Sequence, residues 1–502
     1  SLSLPLEPSA HDKGEWENPW DPLFAAYIVN APRQLRDGAP HHLRQRLGAG
    51  ADNGHWRWHF VSHHIAHQAS AFLAAPFTRC AVMTLDGRGE SATTSYGVYR
   101  DDHYRTLGEV RMPHSLGMLY ERITSHLGFL HSSDEYKVMA LAALGTPTYR
   151  GVLAEHVHVG ADGGYTVDDM DFTALFGPPR VPGTPMEQQH LDLAASLQDV
   201  LEDTAMRLAA WLREAGGERN LAMAGGVALN CVMNARLRDS GMFDAVWVQP
   251  AAGDAGTALG AALWVDARER LAKGASVADA DGAVPLAPRR WHMTHTYLGP
   301  EYGDDQIEHL LRWAKLPYRK LDDVAEETAR LLADDKIIGW FQGRMEFGPR
   351  ALGGRSILAS PIDPAMQARL NELKDREDFR PVAPAVLHEE LDHWFRPADA
   401  NGGTSPFMLF IYDTQPGQGE KIPSACHTDR TARVQTVHAD TNPRFHALLK
   451  AFQRRTGVPV LVNTSFNVRG EPIVCGPKAA IEAFHSTPLD ALVIGSFLLE
   501  KT

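Results

Sequence analysis

Cys80-Ala81-Val82-Met83-Thr84-Leu85-Asp86-Gly87-Arg88-Gly89-Glu90 is the stretch on which the fold turns. A short, mainly apolar run predicts a buried strand over Cys80 to Leu85, and the polar Asp-Gly turn stops it. Upstream, His63-His64-Ile65-Ala66-His67 sets two imidazoles at i and i+4, which share one face of a helix. His63 and His67 can therefore converge on one cation, and Asp86 at the strand end can add a hard oxygen ligand. That is half a metal site. Two histidines at this spacing are more often held by backbone carbonyls in a buried polar helix, so the balance is decided further along the chain.

Downstream, Thr94 to Tyr99 and Tyr104 to Arg111 read as strands joined at Asp101-Asp102. A strand, an Asp-Gly turn and a hairpin on one sheet is how actin-like nucleotide folds build a phosphate-facing loop. Helices are expected over Leu116 to Leu127 and Tyr136 to Leu144. A long amphipathic helix is expected from Glu187 to Ala215, where Leu193, Leu197, Val200, Leu201, Leu208, Trp211 and Leu212 recur at helical spacing before Gly216-Gly217. Leu221 to Ala224 then reads as a strand opening through Gly225-Gly226 into a helix containing Asn230 and Cys231. Bare N–H groups at a positive helix terminus suit a phosphate or carboxylate, although a glycine pair can equally be a tight turn. The pattern repeats in strand Ala245 to Val248, loop Gly253-Asp254-Ala255-Gly256 and helix Thr257 to Val265. Two such units favour a nucleotide or acyl-phosphate pocket and make Asp254 a candidate fourth metal ligand.

Residues 273 to 290 turn to Ala, Gly, Asp and Pro and read as a linker. Helices over Tyr302 to Leu316 and Asp322 to Leu332 precede strand Ile337 to Phe341, the loop Gln342 to Arg355 and strand Ser356 to Ala359. That loop carries Arg344, Arg350 and Arg355 among glycines, a composition hard to place in a core. Lys374, Arg376 and Arg380 follow on or just after a helix over Ala365 to Asp375. Planar guanidinium forks beside flexible backbone in an acidic chain suggest a polyphosphate site. Arg433 follows Cys426-His427, and strand Val458 to Val462 runs into Asn463, Ser465 and Asn467. Those amides and hydroxyls can read a base or ribose, or merely close an Asx turn.

Composition sets the outer limits. A chain of 502 residues, 44% hydrophobic and 22% charged, is globular and long enough for several buried cores. Against 62 acidic residues stand 49 basic ones, a net charge of −13, so no broad attraction to nucleic acid or anionic membrane is expected. The four scattered cysteines form no CxxC pair. A reducing, cytoplasmic setting is expected, without a signal peptide or membrane span.

Eight segments then fall in order: HHIAH at 63–67, DGRGE at 86–90, DEYKVMALAALG at 134–145, GGVALN at 225–230, GDAGTALG at 253–260, EFGPRALGGRSILASP at 346–361, KDREDFRP at 374–381 and NTSFNVRGEPIV at 463–474. Together they resemble the NodU/CmcH-type O-carbamoyltransferases, which include enzymes that decorate aminoglycoside, cephamycin and ansamycin natural products. The resemblance implies an α/β chain in two domains. An actin-like (ASKHA) domain, similar to the tRNA threonylcarbamoyl-transferase catalytic subunit, covers 1–272; a linker covers 273–292; a YrdC-like α/β domain covers 293–502.

By the same resemblance His63, His67, Asp86 and Asp254 hold a divalent metal, iron or manganese, in a donor set that also suits zinc. Lys374-Asp375-Arg376 and Ser465-Phe466-Asn467 resemble the YrdC-type Lys-x-Arg and Ser-x-Asn elements that hold Mg-ATP. Arg350, Arg380, Arg433 and Asn463 complete the anion cradle, with Lys374, Arg350 and Arg380 the catalytic candidates, while Gly225, Gly226 and Asn230 grip an adenylate. The implied activity is ATP-dependent O-carbamoyl transfer. Carbamoyl phosphate and ATP give carbamoyl-adenylate, and a hydroxyl of a small molecule accepts the carbamoyl group, with His64 or His114 as candidate base.

Family members open with a strand, loop and strand bearing a His-Asp pair, and this sequence starts after that hairpin. The expectation is either that residues lie outside the numbering or that the transfer site is incomplete. Two rival readings are a catalytically inactive nucleotide-binding remnant and an actin-like small-molecule kinase. A kinase has no obvious use for the second, arginine-rich domain. No nucleic-acid or membrane partner is expected, and a homodimer is the default oligomer.

Overall fold

The computed structural model describes residues 59–271, 282–396 and 403–501; the weakly patterned first fifty or so residues, which read as one or two helices and loops, lie outside the described residues. The elements of the first half are α1 (His63–Phe72), β1 (Arg79–Leu85), β2 (Ala92–Arg100), β3 (His103–Arg111), α2 (Leu116–His126), α3 (Glu135–Ala142), β4 (Val157–Val159), β5 (Tyr165–Val167), α4 (Gln188–Gly216), β6 (Asn220–Ala224), α5 (Cys231–Asp239), β7 (Ala245–Val248), α6 (Ala255–Glu269) and β8 (Val284–Pro285). Apart from the β4–β5 hairpin, these strands form one sheet in the order β7-β6-β1-β2-β3-β8. β1 pairs in parallel with β6 and antiparallel with β2, so the Cys80–Leu85 run lies in the middle of the sheet.

Its side chains alternate between two cores. Cys80 and Val82 join Phe72, Tyr99 and Ala222 beneath α1, whereas Ala81, Met83 and Leu85 join Leu197, Leu201 and Ile123 beneath α4 and α2. Burial on both faces explains why the run is continuously apolar rather than alternating. The β2–β3 turn holds Asp101 and Asp102 at φ of +49° and +60°, the double left-handed conformation that matches the twist of a two-residue hairpin.

The helix expected at Thr257 to Val265 is α6, and its small residues serve packing. A Cβ added at Gly260 would overlap the Ala66 carbonyl, so this glycine lets α6 press against the backbone of α1. The linker expectation holds no further than the described residues allow. Residues 272–281 are not described, and β8 is already an edge strand of the first sheet, with Tyr104 opposite Val284. Arg289 then ties the following chain down by donating to the carbonyls of Phe72, Ala75 and Phe77.

The second half carries α7 (Asp304–Trp313), β9 (Arg319–Lys320), α8 (Val324–Ala333), β10 (Ile338–Phe341), β11 (Arg355–Ala359), α9 (Met366–Leu373), β12 (Ala383–Leu387), β13 (Phe395–Arg396), β14 (Ile411–Thr414), β15 (Thr431–Arg433), β16 (Gln435–Val437), α10 (Pro443–Thr456), β17 (Val460–Ser465), α11 (Pro477–Ser486), β18 (Ala491–Ile494) and β19 (Phe497–Glu500). Eight of its strands form a mixed sheet, β16-β12-β17-β11-β10-β18-β19-β9, and β13-β14-β15 form a small second one. The chain is thus an α/β protein with two principal sheets. The halves touch where Asn234 and Arg238 of α5 donate to the carbonyls of Leu409 and Ile411, and Arg238 stacks on Tyr412 at 4.2 Å. Among the described residues no helix is long and apolar enough to cross a membrane.

Candidate functional site

α1 and the β1 terminus bring the predicted ligands together. His63 Nε2 lies 2.9 Å from Asp86 Oδ2 and 3.0 Å from His67 Nε2, while Asp254 Oδ1 is 3.5 Å from both ring nitrogens. His67 and Asp86 Oδ2 are also 3.5 Å apart, and all four ligand atoms fall within 4.8 Å of one another. Around an ion with bonds of about 2.1 Å, ligand-to-ligand edges of about 3.0 to 3.4 Å are expected, so the observed spacing fits a divalent cation. Exposure is graded: the His67 side chain is sealed, Asp86 nearly so, and Asp254 is 80% exposed. The cluster opens to solvent on one side, which leaves room for a further ligand. Each position has a local cause. Glu90 receives the His63 N–H on both carboxylate oxygens at 3.0 Å, fixing the start of α1, and Asp254 is the N-cap residue of α6.

Charge is concentrated here. Burial opposes ionisation of His67, yet hydrogen bonds to Asp254 and Asp86 raise its pKa to about 9. Burial likewise disfavours the Asp86 carboxylate, but His63 and His67 hold its pKa well below the usual carboxylate range. A proton thus sits where a cation would compete for the same lone pairs. His64 points elsewhere: its Nδ1 lies 2.8 Å from Ser95 Oγ, and burial lowers its pKa to about 4, leaving a neutral imidazole whose Nε2 has no partner among the described residues. His114 Nδ1 sits 3.2 Å from the Val167 N–H.

The glycine pair behaves differently from the expectation of bare donors. The Gly225 N–H donates to the Ala252 carbonyl, and the Gly226 N–H donates to Asp86 Oδ1 at 2.9 Å. Gly225 holds φ at +94°, where a Cβ would overlap the Leu85 carbonyl. The segment after it is a 3₁₀ turn (Gly226–Leu229), and α5 starts only at Cys231. Asn230 caps that helix through the Met233 N–H and pairs its amide with Gln198 in both directions. This pocket therefore braces Asp86 from behind.

A second cluster forms in the carboxyl-terminal half. Lys374, at the C-terminal end of α9, donates to the Ser465 carbonyl at 2.6 Å, Ser465 Oγ at 2.9 Å and Asn467 Oδ1 at 2.8 Å. Burial, then Arg376 and Arg380, push its pKa well below the ordinary lysine value. Burial lowers Arg350 to about 9 and Arg376 to about 10, with Arg433 adding repulsion to both, and Arg433 itself is lowered by burial and Arg380. The Nε atoms of Arg350 and Arg433 and Nη2 of Arg376 are buried without a hydrogen-bond partner among the described residues. Arg376 Nε donates to Asn371 Oδ1, and Arg380 approaches Glu377 only at 3.5 Å. Asn463 donates to Gln435 Oε1 at 2.7 Å, and its own Oδ1 has no partner among the described residues. Partly buried cations that repel one another, with Glu377 the one carboxylate near them among the described residues, call for an anion of high charge.

The loop preceding these residues is partly structural. Arg355 is fully buried; it donates to the carbonyls of Gln342, Gly343, Gly354, Pro300 and Cys475 and stacks on Phe341 at 3.7 Å. Glu346 Oε1 accepts the N–H groups of Leu352, Gly354 and Arg355. Arg344 lies at the surface, near Glu301. Of the three arginines only Arg350 joins the cationic cluster. Sequence reasoning also passed over Glu90, Glu346, and the pair Tyr136 and Lys137. These last two stand inside a segment quoted above, with no spacing that marks them.

Comparison with known proteins places both halves. The family described as Carbamoyltransferase N-terminus matches residues 55–263, and Carbamoyltransferase C-terminus matches residues 329–501. An uncharacterized protein of Synechocystis sp. is 41% identical over 483 residues, covering 88% of this chain and 76% of that protein. Nodulation protein NolO of Bradyrhizobium diazoefficiens is 39% identical over 449 residues, covering 88% of this chain and 79% of that protein. Full-length HypF in its phosphate- and nucleotide-bound form superposes with a TM-score of 0.26 at 20% identity, over 36% of this chain and 22% of that one, too weakly to bear on the fold.

Proposed function

The chain belongs to the carbamoyltransferase family and is a transferase, and from that premise we propose that it is an ATP-dependent O-carbamoyltransferase working in two steps on two sites. The observation that carries this reading is the set of cations formed by the buried Lys374 and the partly buried Arg376, Arg350 and Arg433, with no carboxylate partner among the described residues. In the first step carbamoyl phosphate, ATP and water give carbamoyl-adenylate, phosphate and pyrophosphate. Lys374, Arg350 and Arg380 neutralise charge as pyrophosphate leaves, while Arg376, Arg433, Asn463, Ser465 and Asn467 hold the phosphates and nucleoside. Lys374 is pre-set for this task by Ser465 and Asn467, so little reorganisation is needed when the anion arrives.

In the second step a hydroxyl of a small-molecule acceptor, a sugar or polyketide by family resemblance, attacks the carbamoyl carbon; AMP leaves and the hydroxyl proton passes to a base. A divalent ion held by His63, His67, Asp86 and Asp254, iron or manganese on the resemblance, supplies Lewis acidity toward an acyl or phosphoryl oxygen when bound. Gly226 fixes Asp86 from behind, and the sealed His67 closes the inner side of the cluster, leaving its outer side at Asp254 open. Of the two candidate bases, His64 turns toward Ser95 with its pKa lowered by burial to about 4, and His114 is tied to the Val167 backbone, so neither is assigned the proton. An actin-like first half and a YrdC-like second half suit this division of labour.

The test is incubation with Mg-ATP and carbamoyl phosphate, followed by mass spectrometry. Carbamoyl-adenylate is the expected species, and a phosphorylated acceptor in its place would convert the reading to a kinase.

A further inference from the structure

The cationic cluster is not built from its own half alone. α3 of the first half reaches it through Tyr136 and Lys137, neither of which the two-step reading uses. The Arg380 guanidinium stacks on the Tyr136 ring at 4.7 Å. Lys137 Nζ donates to Glu377 Oε1 at 2.9 Å and also meets Asp134 Oδ2 at 3.1 Å. Glu377 in turn stands 3.5 Å from Arg380. These groups are partly buried, with side-chain exposures of 14% for Lys137, 31% for Glu377 and 20% for Arg380. Among the described residues, Glu377 is the one carboxylate paired with a cation of the cluster. Without a countercharge it would close on Arg380 and compete with any incoming anion. Lys137 supplies that countercharge at the shorter distance, which leaves Arg380 loosely held and free to turn toward a phosphate.

We propose that Lys137 and Tyr136 are positioning residues for the polyphosphate site: Lys137 draws Glu377 away from Arg380, and the Tyr136 ring supports the guanidinium. Anion binding in the second half thereby depends on the first half being docked against it. The inference rests on the two-step reading but makes a separate demand of its own.

Binding of Mg-ATP and of inorganic pyrophosphate to the full chain is measured by isothermal titration for the wild type, K137Q, E377Q and the double variant K137Q/E377Q. K137Q is expected to bind about tenfold more weakly, between the value of a surface pair and that of a buried one. The double variant is expected to recover wild-type affinity, because the competing carboxylate is gone. A Lys137 that merely stabilised the helix would give no such rescue, and a double variant as weak as K137Q overturns the proposal. Y136F is expected to bind as wild type and Y136L several-fold more weakly; equal binding by both would remove Tyr136 from it. If wild-type protein binds neither probe, the polyphosphate site itself fails, a result distinct from a failed rescue.

Discussion

Arg350→Met removes one partly buried cation whose Nε has no hydrogen-bond partner among the described residues, and it is expected to make the ligand-free protein more stable. Burial and Arg433 hold the Arg350 guanidinium near 9, against an ordinary value of 12.5. The group is still charged at pH 7, so its charged form is penalised in the fold by about 5 kcal/mol if desolvation were complete. The side chain keeps a solvent-facing edge, and Met recovers the aliphatic stem but not the packing of the guanidinium, which brings the expected net gain to about 2 kcal/mol. For a unit of ~200 residues this raises Tm by about 4 to 8 °C. Mg-ATP should reverse the ranking. Saturating ligand at ~100 Kd stabilises the wild type by about 2.7 kcal/mol, and the variant, missing a phosphate contact, should gain little. Differential scanning fluorimetry with and without Mg-ATP reads both effects. A variant that melts below the wild type without ligand, or that keeps the full nucleotide shift, would show that Arg350 has a stabilising partner and refute the unpaired-cation argument.

Gly225→Ala should cost about 3 kcal/mol and weaken metal binding, because its Cβ would overlap the Leu85 carbonyl at a φ that L-residues avoid; urea denaturation and metal titration check it, and an unchanged midpoint would count against it. Arg355→Lys should lose about 3 kcal/mol of stability, since one ammonium cannot reach five carbonyls and the Phe341 face; a loss of nucleotide affinity without loss of stability would instead place Arg355 in the site. Burial holds His427 down to about 4, below its ordinary value of 6.5, so the fold binds fewer protons than the unfolded chain across that window. Its contribution is complete above pH 6.5 and is lost as pH falls through 4, a change of about 3 kcal/mol that His427→Gln should remove from the stability-pH curve. Identical curves for wild type and variant would contradict that assignment.

Local features carried most of what could be read in advance. His63 and His67 face the same way because i and i+4 do so on any helix, and Asp86 closes a strand whose length is set by its apolar run. What depended on distant chain was harder. The Gly225 and Gly226 donors look free in sequence, yet one meets the Ala252 carbonyl and the other meets Asp86, 140 positions away. Gly260 reads correctly as a small residue of a helix, but that it lets α6 cross α1 depends on the distant Ala66 carbonyl. The arginine-rich loop was read as one functional unit, but Arg355 turns inward onto carbonyls supplied by three separate segments, and composition cannot separate it from Arg350. Within the span that reads as linker, Val284 and Pro285 pair with the first sheet and Leu286 is buried; a strand of two residues leaves no periodicity to read.

In the proposed function the cationic cluster and the histidine-aspartate cluster divide the labour. The most direct measurement is carbamoyl-adenylate formation, followed by mass spectrometry with Mg-ATP and carbamoyl phosphate, in the wild type, Lys374→Ala and His67→Ala. Lys374→Ala is expected to abolish the adenylate, whereas His67→Ala is expected to accumulate it without delivering carbamoyl to an acceptor. Loss of the adenylate in both variants, or its survival in Lys374→Ala, would contradict the division.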